Sequence, residues 1–488
     1  RMAQMGLNTV LVPAQWDLIE ADEGKFDFSL IDETINRARE NRLKVIFLWF
    51  GAWKNSMSCY APLWFKQNVS KYPRAMTRTG KPLEIASAFS ENVFEADNRA
   101  FTQLMRHISA VDSHDNTVIM VQVENEIGML EDARDHSPAA DKAYRSSVPG
   151  ELLSALKLEK KGTWAQVFGT DVYADEKFMA YHYAKYVERL AENARKTYNI
   201  PLYVNAAMNS RGRKPGEYPS AGPLAHLADI WRCVAPDIDI LAPDIYDTGF
   251  KGWAKQYALD DNPLFIPESR CCINSGVRAL YSFGEHQAVG FSAFAIDQAP
   301  QSETRHITSS FALVNQMMPL LLKYQGKNVT RGVLLDQQDK ESFIEDGNLT
   351  MTCRHYFTLP WDARATDGST WPEGGAIIMK LADNDYLIAG SGVVVTFQTA
   401  TEKKQEEMKT LGEDGFINNG DETNVAKKAM NAFTGKRIGI GYVDEVHVSA
   451  DGNIEYIRRE NGDQDHQGRH ARISVGDYKI LHVRLYEY

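Results

Sequence analysis

The chain has 488 residues, 43% of them hydrophobic, enough for two or three domains with their own cores. Its net charge of −11 at pH 7, with no basic stripe carrying interleaved aromatics, excludes nucleic acid as the natural partner. No apolar run approaches the roughly 18 residues of a membrane span. Five cysteines, an odd number with Cys271 and Cys272 adjacent, give neither a disulfide framework nor a CxxC zinc spacing.

The chain opens at Arg1 rather than Met, and Arg1-Met-Ala-Gln-Met-Gly6 reads as the end of a helix capped by Gly6. One strand and any leader peptide are therefore expected upstream. From there to residue 324 strand and helix patterns alternate. Asn8–Pro13 and Leu43–Trp49 read as strands, with a helix at Leu30–Asn41 between them. A helix at Asn98–Val111 precedes a strand running from Thr117 to Glu126. A charged, irregular stretch extends from Met129 to about Asp175, and a long helix covers Phe178–Tyr198. Strands follow at Leu202–Asn205, Ile238–Tyr246, Leu264–Glu268 and Ala288–Asp297, and a helix at Phe311–Tyr324 closes the region. Seven strands with helical crossovers imply a parallel sheet. With one more upstream they make the eight of a (β/α)8 TIM barrel. A doubly wound open sheet is the alternative, and the lack of a phosphate-binding glycine turn argues against its nucleotide-binding forms.

Past residue 325 the texture changes to glycine turns between alternating runs: Ala376–Leu381, Val393–Phe397, Glu445–Val448 and Lys479–Tyr486. Asp451-Gly452 between two strand patterns signals a hairpin. The expectation is a barrel at 1–324 and an antiparallel, sandwich-like β domain at 325–488. The charged segment Glu402–Asn424 reads as a surface excursion.

Two apolar runs end abruptly in a carboxylate: Thr117-Val-Ile-Met-Val-Gln-Val-Glu-Asn-Glu126 and Asn262-Pro-Leu-Phe-Ile-Pro-Glu268. Such runs read as strands buried on both faces, and a charge where they stop is costly without a task or partner. Barrel active sites lie where strands end. A retaining glycosidase needs one carboxylic acid to protonate the leaving oxygen and one carboxylate to attack the anomeric carbon, about 5–5.5 Å apart. Glu126 and Glu268 both stand at strand ends, and neighbouring or facing strand ends of a barrel can supply that spacing. Glu124 competes with Glu126; strand alternation would put it on the same face, one layer deeper, in a supporting role. Arg270 is expected to form a surface salt bridge with Glu268 or to keep it ionised. Trp53 is the candidate for stacking on a sugar, Asn205 and Asp297 stand at strand ends where they could bind hydroxyls, and Asn125 either caps the next helix or meets a sugar hydroxyl. No HExxH, GxSxG elbow or dinucleotide fingerprint is present, so no metal or organic cofactor is expected.

Val121-Gln-Val-Glu-Asn-Glu-Ile-Gly128 resembles the fourth-strand motif of family 35 β-galactosidases, within the large clan of retaining barrel glycosidases. That resemblance implies Glu126 as acid/base beside Asn125, Glu268 as nucleophile ending strand seven, and Tyr246 as a hydroxyl beside the nucleophile. Asp444-Glu445, Arg458–Asp463, Gln467-Gly-Arg469 and the ending Arg484–Tyr488 resemble a bacterial branch with a distinctive C-terminal β domain. After strand three the family carries a Glu that grips galactose, whereas this chain has Phe50-Gly-Ala-Trp-Lys-Asn-Ser56, where Lys54 and Asn55 could replace those contacts. The resemblance implies a retaining exo-β-glycosidase, a β-galactosidase trimming plant-type glycans, in a secreted or periplasmic setting. A different β-linked sugar, or a carbohydrate-binding protein without catalysis, are the rival expectations.

Overall fold

The computed structural model describes residues 1–208, 212–404 and 434–488, so the expected excursion at 402–424 lies outside the described residues from position 405 onward. By its internal contacts the chain divides into Arg1–Ser269 and Arg270–Tyr488.

In the first unit six strands form one parallel sheet: β1 (Thr9–Gln15), β2 (Lys44–Phe50), β3 (Val118–Gln122), β4 (Leu202–Ala206), β5 (Ile240–Ile245) and β6 (Glu268–Ser269). Spatial order follows chain order from β1 to β6. A doubly wound sheet would reverse direction partway; an unbroken sequence is how a barrel grows. Ile46, Leu48 and Phe50 of β2 share one core with Tyr203 of β4 and with Ile240 and Ala242 of β5. Strands that are not neighbours therefore meet across the concave face, and the sheet curls. β2 is buried along all but its first residue, which explains its unbroken apolar run.

The crossover helices bear their caps in the sequence. Ser90 accepts a hydrogen bond from Val93 N at the start of Glu91–Asp112, and Asp171 accepts from Tyr173 N and Ala174 N at the start of Val172–Thr197. Both helices begin earlier than their apolar periodicity alone predicts. The irregular stretch after Met129 holds three short helices, Pro138–Tyr144, Gly150–Ala155 and Trp164–Phe168. A hairpin, Arg74–Met76 with Pro82–Ala86, was not foreseen.

The second unit is three-layered. A six-stranded sheet has the order Thr330–Leu335, Gly374–Ala382, Asp385–Ser391, Lys479–Glu487, Ile438–Val448, Ile454–Glu460. A four-stranded sheet contains Glu341–Asp346, Leu349–His355, Val393–Thr399 and Ala471–Ile473. Their facing sides meet in a core of Ile378, Ile388, Leu481 and Val483 against Met351, Cys353, Val395 and Ile473. The other side of the larger sheet, through Ile377, Met379, Leu387 and Ile480, packs on Leu280, Leu313, Met317 and Leu320 of helices Ser275–Glu285 and Gln301–Tyr324. Alternate residues of Ala376-Ile-Ile-Met379 thus serve opposite cores. This packing is why residues 270–324 group with the β domain by contact, whereas strand and helix texture places the division after 324. The Asp451-Gly452 hairpin is present, joining Ile438–Val448 to Ile454–Glu460 with Gly452 at φ +78°. Of the expected strand Ala288–Asp297, only Gly290–Phe291 is extended. The (β/α)-barrel architecture and the C-terminal antiparallel β domain are both present. Among the described residues no helix is long and apolar enough to cross a membrane.

Candidate active site

β3 ends at Gln122, and the chain then leaves extended geometry: Glu124 and Glu126 have φ of +58° and +47°. Strand alternation therefore stops short of Glu124, and the two glutamates part company. The opposing loop after β2 bends the same way, with Asn55 at φ +50° and Ser56 at φ +64°. Four non-glycine residues in the left-handed region at one place mark a strained, over-determined junction. Backbone hydrogen bonds hold it: Asn125 N to Trp53 O (3.2 Å), Asn55 N to Asn125 O (3.1 Å) and Ser56 N to Glu126 O (3.1 Å).

The junction delivers Glu126 to a cluster with Asp244 of β5 and Glu268 of β6. Oxygens of the three carboxyl groups lie within 4.8 Å of one another. Glu126 and Glu268 are 7% and 9% exposed, Asp244 only 1%. The Tyr246 hydroxyl donates to Glu268 Oε2 at 2.7 Å. Asn205 ties two members together: its Oδ1 accepts from Glu126 N (2.9 Å), and its Nδ2 donates to Asp244 Oδ2 (2.7 Å). Burial, then the charge of Glu268, pushes the Glu126 carboxyl pKa up, while Asp244 and Lys54 pull it down. Asp244 is pushed well up by burial and by the charges of Glu268 and Glu126. Burial and the Glu268 charge raise the Tyr246 phenol, keeping it a donor.

Glu124 turns the other way. Its Oε2 accepts from Trp53 N at 2.8 Å, and its carboxyl faces Asp97. Asp97 in turn accepts from Trp49 Nε1 (2.9 Å) and Tyr186 OH (2.8 Å). Burial and mutual repulsion raise Glu124 well above its ordinary value, and burial raises Asp97. Gly51 makes room for this pair: a Cβ there would stand 2.7 Å from both Asp97 Oδ1 and Glu124 Oε1.

The structure thus brings together Glu126, Glu268, Asn125, Asn205 and Tyr246, with Lys54 and Asn55 on the adjoining loop, where Lys54 Nζ bonds Asn55 Oδ1. Two expectations need correcting. Trp53 is fully buried, its indole packed edge-on against Tyr183 and Tyr186 at 5.6 and 4.8 Å, so no ring face is open to a sugar. Glu124 belongs not to the barrel face below Glu126 but to the Asp97 pair. Arg270 and Asp297 are exposed residues of the second unit, Asp297 in turns beyond the shortened strand. Sequence reasoning passed over Asp244 and Asp97. Asp244 stands inside the otherwise apolar Ile240–Ile245, and Asp97 falls on the buried stripe of Val93, Ala100, Phe101 and Leu104; both were signals. A second carboxylate group, Asp132 and Asp175 with His136, has metal-ligand spacing, but its oxygens already pair with Arg78 and Arg134.

Residues 1–175 match the family model described as Beta-galactosidase, of glycoside hydrolase family 42, and residues 307–472 match a domain of unknown function, DUF5597. The matching family is 42 and not the family 35 of the sequence resemblance; the Asn-Glu and strand-seven Glu motifs that carried that resemblance belong to the whole clan and do not choose between its members. A comparison with curated protein sequences finds no match. Solved structures similar to the chain include β-galactosidases from the psychrophilic Marinomonas ef1 (15% identity, TM-score 0.48, 66% of this chain and 57% of that one) and from the haloarchaeon Halorubrum lacusprofundi (17%, 0.44, 64% and 55%). A third is from Bacillus circulans sp. alkalophilus (14%, 0.46, 65% and 53%). The chain spans little more than half the length of each. Likeness this distant says nothing of substrate. The match over the first 175 residues, together with the parallel sheet that carries them, likens the N-terminal unit to β-galactosidase-type glycoside hydrolases.

Proposed function

We propose that the chain is a retaining exo-β-glycosidase, acting as a β-galactosidase on plant-type oligo- or polysaccharides, with Glu126 as acid/base and Glu268 as nucleophile. The observation that carries this reading is the separation of the two carboxyls: their nearest oxygens lie within 4.8 Å. An inverting pair stands about 6.5–9.5 Å apart to admit a water, whereas a retaining pair is about 5–5.5 Å apart. Glu268 attacks the anomeric carbon as Glu126 passes its proton to the departing glycosidic oxygen. A glycosyl ester on Glu268 forms. Glu126, now a carboxylate, takes a proton from water as that water attacks the same carbon and frees Glu268. The raised Glu126 pKa suits the first step, and the Tyr246 hydrogen bond keeps Glu268 aimed. Asn125, the neighbour of Glu126, is fully buried with neither side-chain polar atom partnered among the described residues, and its role at a sugar hydroxyl rests on the sequence resemblance.

The loop Phe50–Ser56 lacks a glutamate and presents Lys54 and Asn55, which favours a second reading of the same mechanism on a β-glucoside or β-glucosaminide. Polysaccharide cleavage suits a secreted or periplasmic setting. A panel of aryl β-glycosides, with the anomer released followed by NMR and with Glu126→Gln and Glu268→Gln alongside, is the test. Cleavage of the galactoside with β-anomer first, lost in both variants, is expected. Release of the α-anomer first would overturn the retaining mechanism, and cleavage of another glycoside alone would overturn the sugar.

A further inference from the structure

The loop Asn461–His470 and the outer face of the four-stranded sheet build a second cluster, within the matched domain of unknown function. Trp361 is 44% exposed. Behind it lie the His466 ring at 4.7 Å and the His470 ring at 6.4 Å, the two histidines stacked 5.5 Å apart, with the Arg472 guanidinium 5.5 Å from the indole centroid. Arg472 and Arg354 both pair with Val394, from its two sides. Their neighbours Cys353, Val393, Val395, Ala471 and Ile473 point into the core, so both arginines stand on the outer face.

This cluster has groups the chain does not satisfy. His470, 1% exposed, has no partner for Nε2 among the described residues; nor have Arg472 Nη1 and Asp465 Oδ1, Asp465 being 8% exposed. Asn125 and Asp244 carry the same mark at the glutamate cleft. Buried polar groups without partners are costly and tend to be kept where a ligand supplies the missing bond. The loop is also held in an unusual shape: His466 and Gln467 have φ of +50° and +53°, and Arg469 N and His470 N both donate to Asp465 O. The strongest charges acting on His470 are Arg472, His466, Arg354 and Arg469, all basic. Burial, and after it these charges, hold its pKa down to about 3, so the ring is neutral. The carboxylates nearby are Asp465, Asp463 on the same loop, whose carbonyl takes Arg472 Nη2, and Glu341, which faces Arg354.

We propose that Trp361, with Arg472, Arg469 and His470, forms a second carbohydrate site that takes an acidic sugar, a hexuronate unit. An indole offers a flat apolar surface for the C–H face of a sugar ring, and a guanidinium offers a planar fork for a carboxylate. The Arg472 guanidinium set against one exposed indole fits a ring that is apolar on one side and anionic at one edge. The site lies wholly in the second unit and does not rest on the glycosidase reading.

The test is titration of the full chain with tri-galacturonate, galactotriose and inorganic phosphate, read by calorimetry and by NMR of the His470 ring. Tri-galacturonate is expected to bind saturably and to raise the His470 pKa, because an anion beside an imidazole favours its charged form. Galactotriose is expected to bind at least about tenfold more weakly, and Trp361→Ala and Arg472→Lys to weaken tri-galacturonate about tenfold, for loss of the stacking face and of the fork. Arg472→Lys keeps the charge and the packed stem, so it guards against a folding defect. Aryl glycoside turnover should be unchanged in both variants. No saturable binding, or binding indifferent to Trp361→Ala, overturns the site. Equal binding of galactotriose overturns the acidic preference, and phosphate competing as well as the trisaccharide reduces the site to an anion pocket. Since binding rather than turnover is read, each failure is separate from a failure of the catalytic proposal.

Discussion

Two groups of carboxylates lie close together in the first unit, built from the same residue types and two positions apart along one loop. Glu124 with Asp97 is sealed in: Asp97 accepts from a tryptophan N–H and a tyrosine hydroxyl and Glu124 Oε2 from a backbone N–H, with the two carboxyls facing each other away from water. Glu126 with Glu268 and Asp244 sits at the strand ends, with part of its surface open and one tyrosine hydroxyl on Glu268. Among the described residues neither group is paired with a buried cation. What separates them is whether anything besides the protein can reach the oxygens. Identical chemistry is structural in one place and available for reaction in the other.

The sharpest way to break that contrast is to make the same exchange on both sides. Glu126→Gln and Glu268→Gln are each expected to lower kcat on an aryl β-galactoside by about 10²–10⁴-fold or more. Glu124→Gln, which exchanges a buried carboxyl for an amide of the same shape, should cost less than about tenfold, since it removes no reacting group. Equal losses at 124 and 126 would erase the distinction. The sealed pair should instead announce itself in stability. Asp97→Ala strands the Trp49 and Tyr186 donors and should cost about 2–4 kcal/mol in urea unfolding, against less than about 1 kcal/mol for Asp97→Asn. Gly51→Ala pushes a methyl between the same groups and should cost about 1–3 kcal/mol.

The smallest effects concern protons. A folded-state pKa raised above the unfolded one means stability fully present below the unfolded value and lost as pH rises through the folded value. Glu124 has that sign, so Glu124→Gln should gain stability relative to the parent as pH climbs from acid toward alkaline. Glu126 is raised in part by the negative charge of Glu268. Its pKa, followed by carbon-detected NMR, should therefore fall in Glu268→Gln; an unmoved value would mean that the two carboxyls do not sense each other.

Much of this was legible in the sequence because parallel strands buried on both faces are written as uninterrupted apolar runs. β2, β3 and β5 each lie where such a run stands, and Glu126 and Glu268 are visible as the charges that end two of them. Asp244 was equally visible and went unused, since a charge inside a run is less conspicuous than one at its close. The fate of Glu124 was not legible. It depends on two left-handed backbone conformations, which leave no periodic trace. Trp53 shows the converse limit: the sequence places it at a strand exit, but only the Tyr183 and Tyr186 rings from a distant helix reveal that it is walled in. The shortening of 288–297 to two extended residues, and the attachment of the Ser275–Glu285 and Gln301–Tyr324 helices to the β domain, are tertiary outcomes of the same kind.

The middle sheet of the second unit, covered on both sides, has a bearing on heredity as well as on stability. A segment cut at residue 325 would carry the sandwich but strip Leu280, Leu313, Met317 and Leu320 from the sheet, baring a stripe of Ile377, Met379, Leu387, Ala389 and Ile480 to water. Such a piece should aggregate on expression, whereas 270–488 should remain monodisperse. If so, the portion that evolution can transplant between enzymes is the sandwich together with its two helices, a larger module than the 307–472 span of the matched domain.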